Sequence, residues 1–167
     1  RITEASRIPL IPGEESPIFP TNAEMKFEYA DQVLAALIPL GLTVIFHGLG
    51  MDMVRRCYKR FRSSLLNKQH IGQRAFFMIA IVAIMLATHF FGVVIWAGFY
   101  VMAGILTSVQ EAMLFSMLSY TTIGAPHELR GDWTGFGGFE AMTGMLMFGW
   151  STAVLAAVVQ KIHAIEE

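Results

Sequence analysis

The sequence predicts an all-α membrane protein: three transmembrane helices plus one short re-entrant helix and its loop. Hydrophobic residues make up 54% of the 167 and the mean hydropathy is positive, both outside the range of a soluble globular domain. The charged residues, 12 basic and 13 acidic, are bunched: nine fall within residues 1–31, eight within 52–74 and three within 128–132. Between the bunches, Gln32–Met51, Ala75–Gln110 and Ala141–Gln160 carry no charge. Each is long enough for a hydrocarbon core that needs about 20 residues.

Residues 1–24 hold four of the six prolines and follow neither a helical nor a strand period, so they read as a Pro-rich external arm. A helix signal begins near Asn22, and the first transmembrane helix is expected over 25–51, apolar on every side from Val33 onward. Residues 52–74 read as a basic loop, with Arg55, Arg56, Lys59, Arg60, Arg62, Lys68 and Arg74 against Asp52 alone. By the positive-inside rule this loop is cytoplasmic and the amino terminus lies outside. Cys57 is the single cysteine, which excludes an internal disulfide and any cysteine-based metal spacing.

The 36 residues from Ala75 to Gln110 would make a helix of about 54 Å, too long for one crossing of about 30 Å. A break is expected after Trp96, Phe99 and Tyr100, which suit an outer interfacial belt, and before Gly104. Ser108-Val109-Gln110-Glu111 has the pattern of a capping box, in which the Ser108 oxygen accepts from the Glu111 backbone and the Glu111 side chain reaches back. The helix it starts, 108–120, meets β-branched residues, glycine and proline at Thr121–Pro126. At about 18 Å it is too short to cross and reads as re-entrant. The loop 121–132 comes next, then Trp133 and Phe136 as a second outer belt, an inner helix over 136–160 and a cytoplasmic tail at 161–167.

Near-zero net charge sets nucleic-acid binding aside. Neither an acid–base pair, an activated nucleophile, a phosphate-binding glycine loop nor an HxxxH motif is found, so no enzyme, cofactor or metal is expected. His47 and His89 fall within spans, where ionisable groups are uncommon. Measured from the cytoplasmic ends of their expected spans they lie about 6 and 21 Å deep, so they are expected at different levels, each in helix–helix hydrogen bonding. Glu140 is a lone acid near the outer start of the last span, either solvated or facing the region behind the loop. Met142, Met145 and Met147 read as core or lipid-facing, and Gly144 and Gly149 as a hinge or as close helix packing.

The string SMLSYTTIG at Ser116–Gly124 ends a capped half-length helix between two spans, and FGGFEAMTGMLMFGWSTAVLAAVVQ stands at Phe136–Gln160. Together they resemble the small bacterial potassium-channel-like proteins of the pore-loop ion channel family. There the loop typically reads T-T-x-G-Y-G-D and the final helix carries a phrase like L-F-G-W-S-T-A. The resemblance covers about Phe76–Gln160 and implies a potassium-channel pore domain within 75–160. The pore helix would be capped by Ser108 and Glu111, the filter-like loop would comprise Thr121, Thr122, Ile123, Gly124, Ala125 and Pro126, and Gly144 and Gly149 would lie on the inner helix. It further implies a bacterial inner membrane and a homotetramer around a passive path for a monovalent cation, because one loop supplies a quarter of a filter.

Such a filter needs an extended strand whose successive carbonyls replace an ion's hydration shell. Where the family has Tyr-Gly-Asp, this chain has Ala125-Pro126-His127-Glu128. Proline has φ fixed near −65° and no donor, so Pro126 does not reproduce a positive-φ glycine, and weak discrimination of potassium from sodium is expected. His127 and Glu128 stand at the outer mouth, as a cation- or proton-sensing ring in four copies or as a plain polar loop. The alternative is a non-conducting accessory or structural subunit of a heteromeric membrane complex that keeps the channel-like fold.

Overall fold

The structure, a computed structural model, describes residues 22–65, 71–124, 127, 129 and 133–163. Residues 1–21 of the arm, Lys68 with the rest of 66–70, Ala125, Pro126, Glu128, 130–132 and 164–167 of the tail lie outside the described residues. Four α-helices are present, α1 (Asn22–Leu65), α2 (Ile71–Met102), α3 (Val109–Tyr120) and α4 (Phe136–His163), and no strand occurs among the described residues. Three are long and apolar enough to cross a membrane, over Ala30–Phe61, Gly72–Met102 and Phe136–Ile162; α3 is not.

The first helix does not stop at Met51. It runs through Pro39 and on to Leu65, so most of the basic segment expected as a loop over 52–74 is helical and α2 begins at Ile71. Physical reasons are local and tertiary. Residues 51–65 contain no glycine or proline and are rich in arginine and lysine, which tolerate helix well. Arg56 and Asp52 form an i,i+4 ion pair at 2.6 Å. On the opposite face Met51, Val54 and Tyr58 pack with Phe77, Ile81, Met85, Val154 and Val158, a cluster that joins α1, α2 and α4. Charge bunching marks where hydrophobic surface ends, and helix need not end there.

A second cluster fills the opposite end. Trp96 and Tyr100 of α2 are fully buried against Phe115 of α3 and Phe136 of α4. Phe99 stacks on Phe136 with ring centroids 5.5 Å apart, and Trp133 meets the same ring edge-on at 5.1 Å. The two aromatic belts expected at the outer interface are thus one packed cluster. Because α3 descends and the chain returns, the end of α2 and the start of α4 are brought side by side, and their rings cover each other. Gly104 takes φ +68° just after α2 and lets the chain turn into α3, which packs between α2 and α4.

Candidate functional site

The site is built around α3. Ser108, extended at φ −102° and ψ 128°, caps it by accepting from the Glu111 backbone N–H at 3.4 Å. The other half of the expected capping box is not made. Glu111 instead turns its carboxylate to His127 Nε2 at 3.4 Å, and the Ser108 hydroxyl donates to Gln110 Oε1 at 3.0 Å. Ser108→Ala is expected to lower stability by about 1 kcal/mol, and Ser108→Asp, which keeps an acceptor and adds charge favoured at a helix start, to recover it. Thermal melts in detergent micelles check the pair.

At its far end α3 reaches deep between its neighbours. Tyr120 packs against His89 and Phe148, with centroids 6.1 and 5.8 Å away, and its carbonyl lies against Gly144. His89 is thirteen residues before the end of α2 at Met102, about 20 Å of helix, which matches the roughly 18 Å length of α3. The helix therefore ends beside the middle of α2 and α4, the two long apolar helices that flank it.

The backbone leaving α3 is not an extended strand. Thr122 N–H bonds the Ser119 carbonyl at 2.9 Å and Ile123 N–H bonds the Leu118 carbonyl at 3.0 Å. These are the two bonds of a Schellman motif, with Thr122 in the left-handed C′ position at φ 61°. Gly124 N–H adds a third bond, again to Leu118, at 3.2 Å. The extended return expected from Thr121 is corrected to a capping turn: the last carbonyls of α3, lacking helical partners, recruit the next N–H groups. A β-branched residue is strained in that conformation, where glycine is usual. Thr122, Ile123 and Gly124 are exposed on the single chain, Ile123 at 75%. Beside the turn a cavity of about 470 Å³ is bounded by Ser119, Thr122, Gly124, His127 and the first turn of α4 at Gly137 and Gly138.

Below the turn the two histidines meet. Their ring centroids are 5.0 Å apart, so the expectation of different levels is overturned. The reason is the reference point: with α1 reaching Leu65 and α2 starting at Ile71, each histidine lies eighteen residues from the shared connection (47 to 65, 71 to 89). Ser151 Oγ sits 3.0 Å from His89 Nε2 and 3.0 Å from His47 Nε2, while His89 Nδ1 lies 3.4 Å from the Tyr120 hydroxyl. All four helices contribute one group each. A hydroxyl has one proton and two lone pairs, so at least one imidazole donates to Ser151. His47 Nδ1 is buried without a partner. Leaving a lone pair there costs less than an orphaned N–H, which assigns the His47 proton to Nε2, where it faces the Ser151 oxygen. Among the described residues no group of three His, Cys, Asp or Glu side chains is placed to hold a metal.

Glu140 is 0% exposed, which rules out the solvated reading. It accepts from the Tyr100 hydroxyl at 2.7 Å and from the Ser116 hydroxyl, which also lies 2.9 Å from the Val93 carbonyl. One carboxyl thus ties α4 to α2 and α3. Gly144 is a close-packing glycine, since a Cβ there would overlap the Tyr120 carbonyl, whereas Gly149 meets nothing within its own chain. Met147 is buried and Met142 and Met145 are exposed. Sequence reasoning placed Tyr100 in an interfacial belt and did not single out Ser116, Tyr120 or Ser151. The signal available was depth counted from the α1–α2 connection rather than from the charge boundary.

No protein-family model, no curated protein and no solved structure matches the chain.

Proposed function

We propose that the chain is a subunit of a homotetrameric, potassium-channel-like pore in a bacterial inner membrane, passing monovalent cations with little selectivity. The observation that carries the reading is exposed irregular backbone at membrane depth. Lipid does not tolerate non-helical backbone, which occurs at this depth only against protein or a water-filled path. Thr122–Gly124 of one chain therefore face copies of the chain and the water between them, and one segment per chain is a fraction of a closed ring. The carboxyl end of α3 aims the negative end of its dipole at the same place, which favours a cation. Strain at Thr122 is in keeping with a functional segment. A capping turn offers no column of axial carbonyls, hence the poor selectivity.

A second reading, a non-conducting accessory subunit of a heteromeric complex, is favoured by one observation: the turn already pairs the N–H groups of Thr122, Ile123 and Gly124 within its own chain. Liposome flux separates the two. Wild type is expected to pass potassium and sodium at similar rates. A variant with Ala125→Tyr, Pro126→Gly and His127 deleted, which restores the family order Gly-Tyr-Gly followed by an acid, is expected to favour potassium. Strong potassium selectivity in wild type would overturn the reading of the loop. Absence of flux together with one copy among unrelated subunits would establish the accessory role.

In the same reading Arg55–Arg74 is cytoplasmic and the amino terminus outside. An impermeant thiol reagent applied to intact cells is expected to label Ser16→Cys and to spare Ser63→Cys, each in a Cys57→Ser background. The reverse pattern would invert the orientation and move α3 to the other face.

A further inference from the structure

Between α1 and α4 runs a groove of about 670 Å³ whose lining includes Arg55, Tyr58 and Lys59 of α1 and Trp150, Ala157 and Lys161 of α4. On each helix these residues share a face, at i, i+3 and i+4 on α1 and at i, i+7 and i+11 on α4. The two ends differ. At one lie three cations, and Lys161 Nζ sits 5.8 Å above the Tyr58 ring. At the other lies Trp150, 5.5 Å from His47 and so at the level of the mid-membrane cluster. Between them the walls are apolar, with Ala153 and Ala157 leaving the space open.

Trp150 to Lys161 is eleven residues, about 16 Å, close to one leaflet of a hydrocarbon core about 30 Å thick. The three cations at the mouth call for an anionic occupant, which an apolar transmembrane helix of a second copy does not supply. A free phosphate would use the mouth alone and leave the apolar length unfilled. Among the described residues Arg55, Lys59 and Lys161 have no acidic partner, since Asp52 is engaged by Arg56.

We infer that this groove binds an anionic phospholipid, its phosphate among Arg55, Lys59 and Lys161 and one acyl chain running past Ala157 to Trp150. The occupant must carry both negative charge and a chain one leaflet long, and basic pockets between transmembrane helices are suited to such headgroups. The inference does not depend on whether the chain conducts.

Fluorescence quenching tests it. The full chain is reconstituted in phosphatidylcholine vesicles containing brominated phosphatidylglycerol or, at equal mole fraction, brominated phosphatidylcholine, and the Trp150 signal is taken as the difference from Trp150→Phe. Brominated phosphatidylglycerol is expected to quench at a mole fraction about a hundredfold lower, with about fivefold of that preference lost for each of the three cations neutralised. The combined Arg55→Gln, Lys59→Gln and Lys161→Gln variant should be quenched equally by both lipids. If it fails to insert, Lys59→Gln alone should show its fivefold loss. Equal quenching of wild type by the two lipids would overturn the inference. So would relief of phosphatidylglycerol quenching by inorganic phosphate, which would mark a headgroup-only site, or absence of quenching by either lipid, which would mean that protein covers Trp150.

Discussion

Glu140→Ala is expected to loosen α3 from both of its neighbours and to lower stability by about 3 kcal/mol or more. The carboxyl accepts from Tyr100 of α2 at 2.7 Å and from Ser116 of α3, and it is fully buried. Removing it takes away two hydrogen bonds and strands at least the Tyr100 hydroxyl in a dry site, where an unpaired donor costs about 1–3 kcal/mol. A cavity left by the missing side chain adds to the loss. Glu140→Gln keeps the shape and one acceptor oxygen but sets an NH₂ against a hydroxyl, so about half the loss is expected. Tyr100→Phe should cost about 1 kcal/mol alone but recover part of the loss in the Glu140→Ala background, because it removes the stranded hydroxyl. Unfolding in detergent micelles measures all four chains. Wild-type stability in Glu140→Ala would mean that the carboxyl faces water in the native assembly.

The three long helices were legible because hydrophobic stretches of 20 residues leave few alternatives in water. The short helix was legible for a local reason: Ser108 at its start and Gly124 beyond its end are chemical stop signs that act within a few residues. Harder to read was anything that depends on where a helix passes its neighbour. Met51 looks like an end because charge begins at Asp52, yet the helix continues because Val54 and Tyr58 still face protein. An end placed there sets His47 and His89 about 15 Å apart in depth and hides the cluster they form with Ser151 and Tyr120. Trp96, Tyr100 and Phe136 look interfacial for a similar reason. Composition gives their level along the membrane normal and says nothing about whether lipid or another ring lies beside them. Thr122 was the hardest: a β-branched residue argues for extended backbone, and only the competing demand of the unpaired α3 carbonyls sets it in the left-handed region.

A second large effect is expected at Gly144. A Cβ built there would overlap the carbonyl oxygen of Tyr120 and lie within 2.9 Å of its carbon, and both are backbone atoms that no rotamer change can move. Either the carboxyl end of α3 shifts as a body or α4 bends away, and forcing an extra group into a packed contact costs about 1–3 kcal/mol. Gly144→Ala should therefore destabilise by about 2 kcal/mol, and Gly144→Val by more, because its branches enlarge the overlap. Gly149 supplies the control on the same helix. It meets nothing in its own chain, so Gly149→Ala should be neutral or stabilise the isolated chain by up to about 1 kcal/mol through helix propensity. Melting midpoints in micelles compare them directly, and the same variants in liposomes report on the loop. A displaced Tyr120 carries Thr121–Gly124 with it, so under the proposed channel function Gly144→Ala should change flux even where the chain still folds. If Gly149→Ala instead weakens an oligomer while leaving the monomer's melt intact, the open side of Gly149 is where a neighbouring copy packs. If Gly144→Ala leaves both stability and flux as in wild type, then α3 does not rest on α4 at this point and the half-depth position of its end is wrong.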